Sequence, residues 1–121
     1  MIALVTQLSE TENHQWLSLL NTLISDDEVK LLDTMTSSEK QACDIAVIAN
    51  PNVDDLNQLP NLVWVQSLWA GVESLIKPMQ DLGLPLVRLI DPMLSQAMAE
   101  AALAWTLYLH RNILQYAKQQ S

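Results

Sequence analysis

Residues 44–51 read Asp44-Ile45-Ala46-Val47-Ile48-Ala49-Asn50-Pro51. An unbroken apolar run of this length is the pattern of a strand buried on both faces of a parallel sheet. Asn50-Pro51 stops it, because proline cannot donate to a strand ladder. Similar short runs flank it on either side. Ile2–Val5 predicts a first strand, Glu28–Leu32 a second, Leu62–Leu68 a fourth and Pro85–Leu89 a fifth. Helical spacing fills the gaps. Trp16, Leu19, Leu20, Leu23 and Ile24 recur at that spacing through about Ser25, behind a cap at Ser9 or Thr11. Ser37–Gln41 reads as a short helix or turn, and Val53–Gln58 as one or two helical turns. Gly71–Met79 reads as a helix that ends near Pro78. Strands that alternate with short helices predict an α/β fold with a parallel five-stranded sheet.

Composition narrows the chemistry. Of 121 residues only Gly71 and Gly83 are glycine. A G-x-G-x-x-G fingerprint or a P-loop needs more glycines, closer together, so the chain has no standard phosphate cradle of its own. Cys43 is the single cysteine and is expected to be an inert, semi-buried thiol. His14 and His110 lie far apart, which predicts no metal site. Half of the residues are hydrophobic, as in a globular domain, and one domain is the natural count. The formal charge is −8, and all of it falls in residues 1–55, which hold ten acids against two bases. Such a face repels polyanions, so neither nucleic acid nor an anionic membrane is an expected partner. No apolar run of 18 residues exists, and the N-terminus lacks a basic n-region, so a cytoplasmic location is expected.

The last element is different. Asp91 is a good N-cap and Pro92 a good first helical residue. Nothing then breaks the helix until about Gln119. Such a helix has about 28 residues and spans roughly 42 Å, more than the ~35 Å diameter of a compact chain of this size. Leu94, Met98, Ala101, Trp105 and Tyr108 form one apolar stripe, and Leu103, Leu107, Ile113 and Leu114 widen it. A helix apolar nearly all round is expected to be covered on two sides.

Two stretches resemble a known family. One runs from Asn50-Pro51 through Pro60-Asn61-Leu62-Val63-Trp64-Val65-Gln66-Ser67-Leu68-Trp69-Ala70-Gly71-Val72-Glu73-Ser74-Leu75. The other comprises Leu89-Ile90-Asp91, Met98-Ala99-Glu100 and Leu107-Tyr108-Leu109-His110-Arg111. In order and spacing they look like the N-terminal part of the D-isomer-specific 2-hydroxyacid dehydrogenases, with the bacterial glyoxylate/hydroxypyruvate reductase branch as the nearest likeness. The resemblance is best from Asp44 to Tyr116. It implies a flavodoxin-like substrate domain over residues 1–91. It also implies that 92–121 form a long crossover helix leading toward an NAD(P)-binding domain. The family's fingerprint and catalytic Arg, Glu and His belong to that further domain, so none of them is expected here. A C-terminal segment returns in the family to complete the first domain.

The resemblance assigns candidate sites. The turn Trp69-Ala70-Gly71-Val72 corresponds to the one that holds a 2-oxo-acid carboxylate through backbone amides. Independently, it follows a predicted parallel strand and opens a helix, where N–H groups favour an anion and glycine allows close approach. The plain alternative is a strand–helix turn that needs glycine for its geometry. Trp69 departs from the family, which has a small residue there, and is expected to narrow the pocket or change the substrate. Asn50 is expected to line the same crevice, or else merely to end the strand. Ser95 aligns with a hydroxyl that touches the nicotinamide cofactor, but Leu94 replaces the family's neighbouring Asn; an ordinary first-turn serine is the alternative. His110 is not the family's catalytic histidine. Glu73 complements the helix dipole, and Gly83 is read as a loop residue.

The implied function is the reduction of a small 2-oxo acid by an NAD(P)H-dependent enzyme of which this chain is the N-terminal part. The chain alone is expected to bind neither NAD nor NADP and to be inactive. The competing expectation is an interaction module that forms a homodimer through the 92–120 helix. A phosphoacceptor receiver domain fits poorly, because strand 1 runs into Thr6-Gln7-Leu8 and strand 3 ends at Asn50 without the required acids.

Overall fold

The computed structural model describes residues 1–120, which fall into two units that divide after Leu89. The first is built on a parallel sheet. In chain order it contains β1 (Ile2–Thr6), α1 (Glu10–Leu23), β2 (Val29–Leu31), α2 (Ser37–Ala42), β3 (Ile45–Ala49), β4 (Trp64–Ser67), α3 (Glu73–Leu82) and β5 (Leu86–Val87). Short 3-10 turns occupy Leu32–Thr34 and Val53–Gln58. The strand order is β2-β1-β3-β4-β5, all parallel. This is the α/β arrangement that the alternating pattern predicts, in the flavodoxin-like form that the resemblance implies.

The period-two geometry of the strands sorts their side chains onto two faces. Ala3 and Val5 of β1, Ala46 and Ile48 of β3 and Val65 of β4 enter one core. Val72, Leu75 and Met79 of α3 and Leu32, Leu56 and Leu59 of the 3-10 segments close over it. Ile2, Leu4, Val29 and Val47 face the other way, against Trp16, Leu17, Leu20 and Ile24 of α1. Each fully buried Leu or Ile contributes roughly 1.5–3 kcal/mol relative to exposure. Cys43 belongs to the first core and is fully buried, not semi-buried as its sequence context suggests. Its thiol donates to the Ile45 carbonyl at 3.1 Å, and burial pushes its pKa up.

Polar groups hold the edges. Ser9 caps α1 in a reciprocal capping box with Glu12, and Thr36 does the same for α2 with Glu39. Asn21 of α1 reaches the outer strand β2. Its amide Nδ2 donates to the Val29 carbonyl at 3.0 Å, and its Oδ1 accepts from the Val29 N–H at 2.9 Å. One side chain thus satisfies both main-chain groups of an edge-strand residue, which blocks further strand pairing at that point.

α3 departs from expectation at both ends. It begins at Glu73, with Val72 as N-cap, and Pro78 lies inside it. Burial of Leu75 and Met79 on one side of the helix outweighs the single main-chain bond that Pro78 forgoes. The helix ends instead at Gly83. Its φ of 67° is the left-handed cap conformation, and Leu84 N–H closes back onto the Met79 carbonyl at 3.0 Å. Gly83 is therefore a helix cap and not a plain loop residue.

The second unit holds α4 (Pro92–His110) and α5 (Ile113–Gln120). Asp91 caps α4 by accepting from the Met93 N–H at 2.9 Å, and Pro92 opens it, as expected. The helix is not continuous to Gln119. It breaks at Arg111-Asn112, where Asn112 adopts a φ of 53°. Asn is among the few non-glycine residues that enter this region at small cost. The Asn112 carbonyl then accepts from Gln115 and Tyr116 to start α5. No described residue of α4 or α5 is buried, and Trp105 and Tyr108 pack edge to face at 5.6 Å. Among the described residues, no helix is long and apolar enough to cross a membrane.

Candidate functional site

In a parallel sheet the strand order places the carboxyl ends of neighbouring strands side by side. Ligands bind in the crevice outside those ends. Here β3 lies between β1 and β4, so Asn50 and the Trp69–Val72 turn leave the same edge of the sheet. Main-chain bonds extend the ladders past the strands. Gln7 N–H donates to the Asn50 carbonyl at 3.0 Å, and Leu68 N–H donates to the Ile48 carbonyl at 2.9 Å. Asn50 is exposed and has a φ of 47°, so the chain turns sharply at the end of β3.

The turn after β4 is shaped by three contacts. Ser67 is almost wholly buried, and its Oγ accepts from the Trp69 N–H at 3.1 Å, which bends the chain out of the strand. The Trp69 carbonyl accepts from the Leu89 N–H at 3.3 Å. The Ala70 carbonyl accepts from Nη1 of Arg88 at 3.4 Å. Both acceptors thus face the segment that follows β5. No peptide among the described residues is cis, so each carbonyl points opposite to the N–H that follows it. The N–H groups of Ala70 and Gly71 are accordingly turned away from β5, the side on which Asn50 leaves β3. Val72, buried, caps α3 without a side-chain hydrogen bond, which leaves the positive end of that helix open at the turn.

Gly71 is exposed, and its φ lies outside the left-handed region. A Cβ added there would meet nothing nearer than the Glu73 carboxylate, at an ordinary contact distance of 3.4 Å. Neither backbone conformation nor crowding demands glycine at this position. Trp69 carries its indole to α1, where it stands edge to face on Trp16 with ring centres 6.1 Å apart. Such pairs add roughly 0.5–1.5 kcal/mol, so Trp69 also ties the turn to the first helix.

The charges oppose one another. Glu73, the first residue of α3, brings a carboxylate close to Gly71, which suits the helix dipole but repels an anion. Arg88 brings the opposite charge to the other side of the turn. Arg88 is the residue beside the turn that sequence reading misses. Its place depends on β5 lying beside β4, which no local pattern encodes.

Ser95 belongs to the second unit. It is exposed, in the first turn of α4, with its N–H on the Asp91 carbonyl at 3.3 Å. The structure thus brings Asn50, Trp69, Ala70, Gly71 and Val72 to one edge of one sheet, while Ser95 lies outside that unit. Among the described residues, no group of three or more His, Cys, Asp or Glu side chains forms a metal site.

No protein-family model matches this chain, and no curated protein sequence matches it either. Solved structures do. The chain is similar to a D-isomer specific 2-hydroxyacid dehydrogenase from Xanthobacter autotrophicus Py2, solved in complex with NADPH and MES. The TM-score is 0.73 at 24% sequence identity, over 99% of this chain and 39% of that one. It is also similar to the apo-structure of D-lactate dehydrogenase from Escherichia coli. There the TM-score is 0.51 at 21% identity, over 98% of this chain and 40% of that one. These likenesses establish the fold, and the chain spans about two fifths of the length of those enzymes.

Proposed function

We propose that this chain is the substrate-domain portion of an NAD(P)H-dependent D-2-hydroxyacid dehydrogenase. In this reading, residues 1–91 take the carboxylate of a small 2-oxo acid such as glyoxylate or hydroxypyruvate, and residues 92–121 lead toward a nucleotide-binding domain. The observation that carries the reading is the turn at Trp69–Val72. Its carbonyls are held by the segment that follows β5, its amides face away from them, and its glycine is demanded by neither a left-handed φ nor crowding. The likeness in fold to two dehydrogenases of 2-hydroxy acids supports it.

The residues present do not fit a dinucleotide. The first strand–helix turn, Gln7–Ser9, has no glycine, and the start of α1 is already closed by the Ser9–Glu12 box. The Glu10 and Glu12 carboxylates would repel a pyrophosphate there. Hydride transfer needs that cofactor held beside the substrate. The 121 residues by themselves are therefore expected to reduce no 2-oxo acid.

A binding experiment tests the reading. With the uniformly ¹⁵N-labelled chain, oxamate, an inert 2-oxo-acid mimic, should shift the amide signals of residues 50 and 69–72 before any others. Shifts scattered over the surface, or none at millimolar oxamate, would remove the substrate site. Glyoxylate-dependent oxidation of NADPH by the pure chain would overturn the expected inactivity.

A second reading is favoured by the second unit. Met98, Leu103, Trp105 and Leu109 are each more than 60% exposed, and Glu100 and His110 are the one acidic and the one basic side chain of α4. A second copy of the same helix would cover this face with little charge repulsion. A mass measurement in solution decides it: a dimer that dissociates on Trp105→Glu supports pairing through α4, and a strict monomer at high concentration rules it out.

A further inference from the structure

We infer that Arg88 is the positioning residue of the Trp69–Val72 turn, setting its amides toward an anion; the inference rests on the reading of that turn as a carboxylate site. Three observations converge on it. The first is charge pairing. In residues 1–89 each lysine has a side-chain partner: Lys30 meets Glu39, Lys40 meets Gln58, and Lys77 meets Asp81. Arg88 lies within 4.0 Å of no carboxylate among the described residues, although the chain has fourteen acids and six bases. Its partner is a main-chain carbonyl, and four of its five N–H donors stay available.

The second observation is geometric. The bond from Nη1 to the Ala70 carbonyl turns that peptide so that the Gly71 N–H faces the other way. The neighbouring bond from Leu89 N–H to the Trp69 carbonyl does the same for Ala70. Arg88 and Leu89 are consecutive, so one short segment of chain orients two consecutive amides. The third is electrostatic. The nearest ionisable group to Gly71 on its own helix is the Glu73 carboxylate. An anion at the turn meets that repulsion, and Arg88 is the cation placed to offset it. Guanidinium suits the task better than ammonium. Its planar fork holds the carbonyl in one direction, which a freely rotating ammonium does not.

The two glycines make a clean test. A chain labelled with ¹⁵N only at glycine gives two amide signals, Gly71 at the turn and Gly83 at the far end of α3. The Gly83 N–H is held by the Gln80 carbonyl at 3.0 Å and reports on the fold. Oxamate added to the native chain should move Gly71 and leave Gly83 still, whereas chloride at equal ionic strength should move neither. In Arg88→Met, which keeps the apolar stem, the affinity read from Gly71 should fall about five-fold. Arg88→Lys should recover part of it, and Glu73→Gln should raise it. Equal affinity in Arg88→Met and the native chain, with Gly83 unmoved, would overturn the role of Arg88 alone. A Gly71 signal indifferent to oxamate in the native chain would overturn the carboxylate site and the inference with it. An equal response to chloride would reduce the turn to an unselective anion contact and also overturn the inference.

Discussion

Replacing Ile48 by alanine should lower the unfolding free energy by about 3 kcal/mol. Ile48 is fully buried as the fourth of the five residues of β3, the central strand. Its neighbours in register are Val5 on β1 and Ser67 on β4, and ladder bonds fix the backbone on both sides. Its side chain enters the core that Leu56, Val65, Leu75 and Met79 share. The three missing carbons leave a cavity that pinned strands cannot close, so the cost is the lost transfer free energy plus the cavity. Leu23, by contrast, is 70% exposed at the end of α1. Leu23→Ala should change stability by less than about 0.5 kcal/mol. Urea unfolding followed by tryptophan fluorescence measures both. Equal losses at the two positions would mean that the residue 44–51 strand is not the centre of the fold.

That strand is also the part most readily read from the chain. Ile45–Ala49 needs no tertiary information, because an unbroken apolar run has one economical home, a parallel sheet covered on both sides. The caps at Ser9, Thr36 and Asp91 are local too, since a side chain bonds a main chain two or three residues away. What escaped reading is non-local or energetically close. Pro78 looks like a stop because the rule for proline is local, whereas the burial of Leu75 and Met79 that overrides it is not. The break at Asn112 depends on a small left-handed preference that asparagine shares with many unbroken positions. The candidate turn was legible through Gly71 and its resemblance, but its orientation was not. That orientation comes from Arg88 and Leu89, which reach the turn only because β5 lies beside β4.

The two glycines should respond oppositely to the same substitution. Gly71→Ala places a methyl group 3.4 Å from the Glu73 carboxylate, in ordinary contact, on a backbone that needs no positive φ. Its stability should stay within about 0.5 kcal/mol of the native chain. Its affinity for oxamate should fall about tenfold, because the methyl group takes space beside the amides that the anion must reach. Gly83→Ala does the reverse. Nothing lies within 4 Å of the added carbon, but a φ of 67° strains any residue with a Cβ. The cost is about 1 kcal/mol of stability, with oxamate affinity unchanged. Thermal unfolding and oxamate titration on the two variants separate the roles. The cap glycine serves the folded chain, and the turn glycine serves whatever approaches it. If Gly71→Ala kept full affinity, close approach to the backbone would not be what glycine provides at position 71. If instead it destabilised the chain as Gly83→Ala does, the glycine would be structural, and the turn would lose its strongest claim to a ligand.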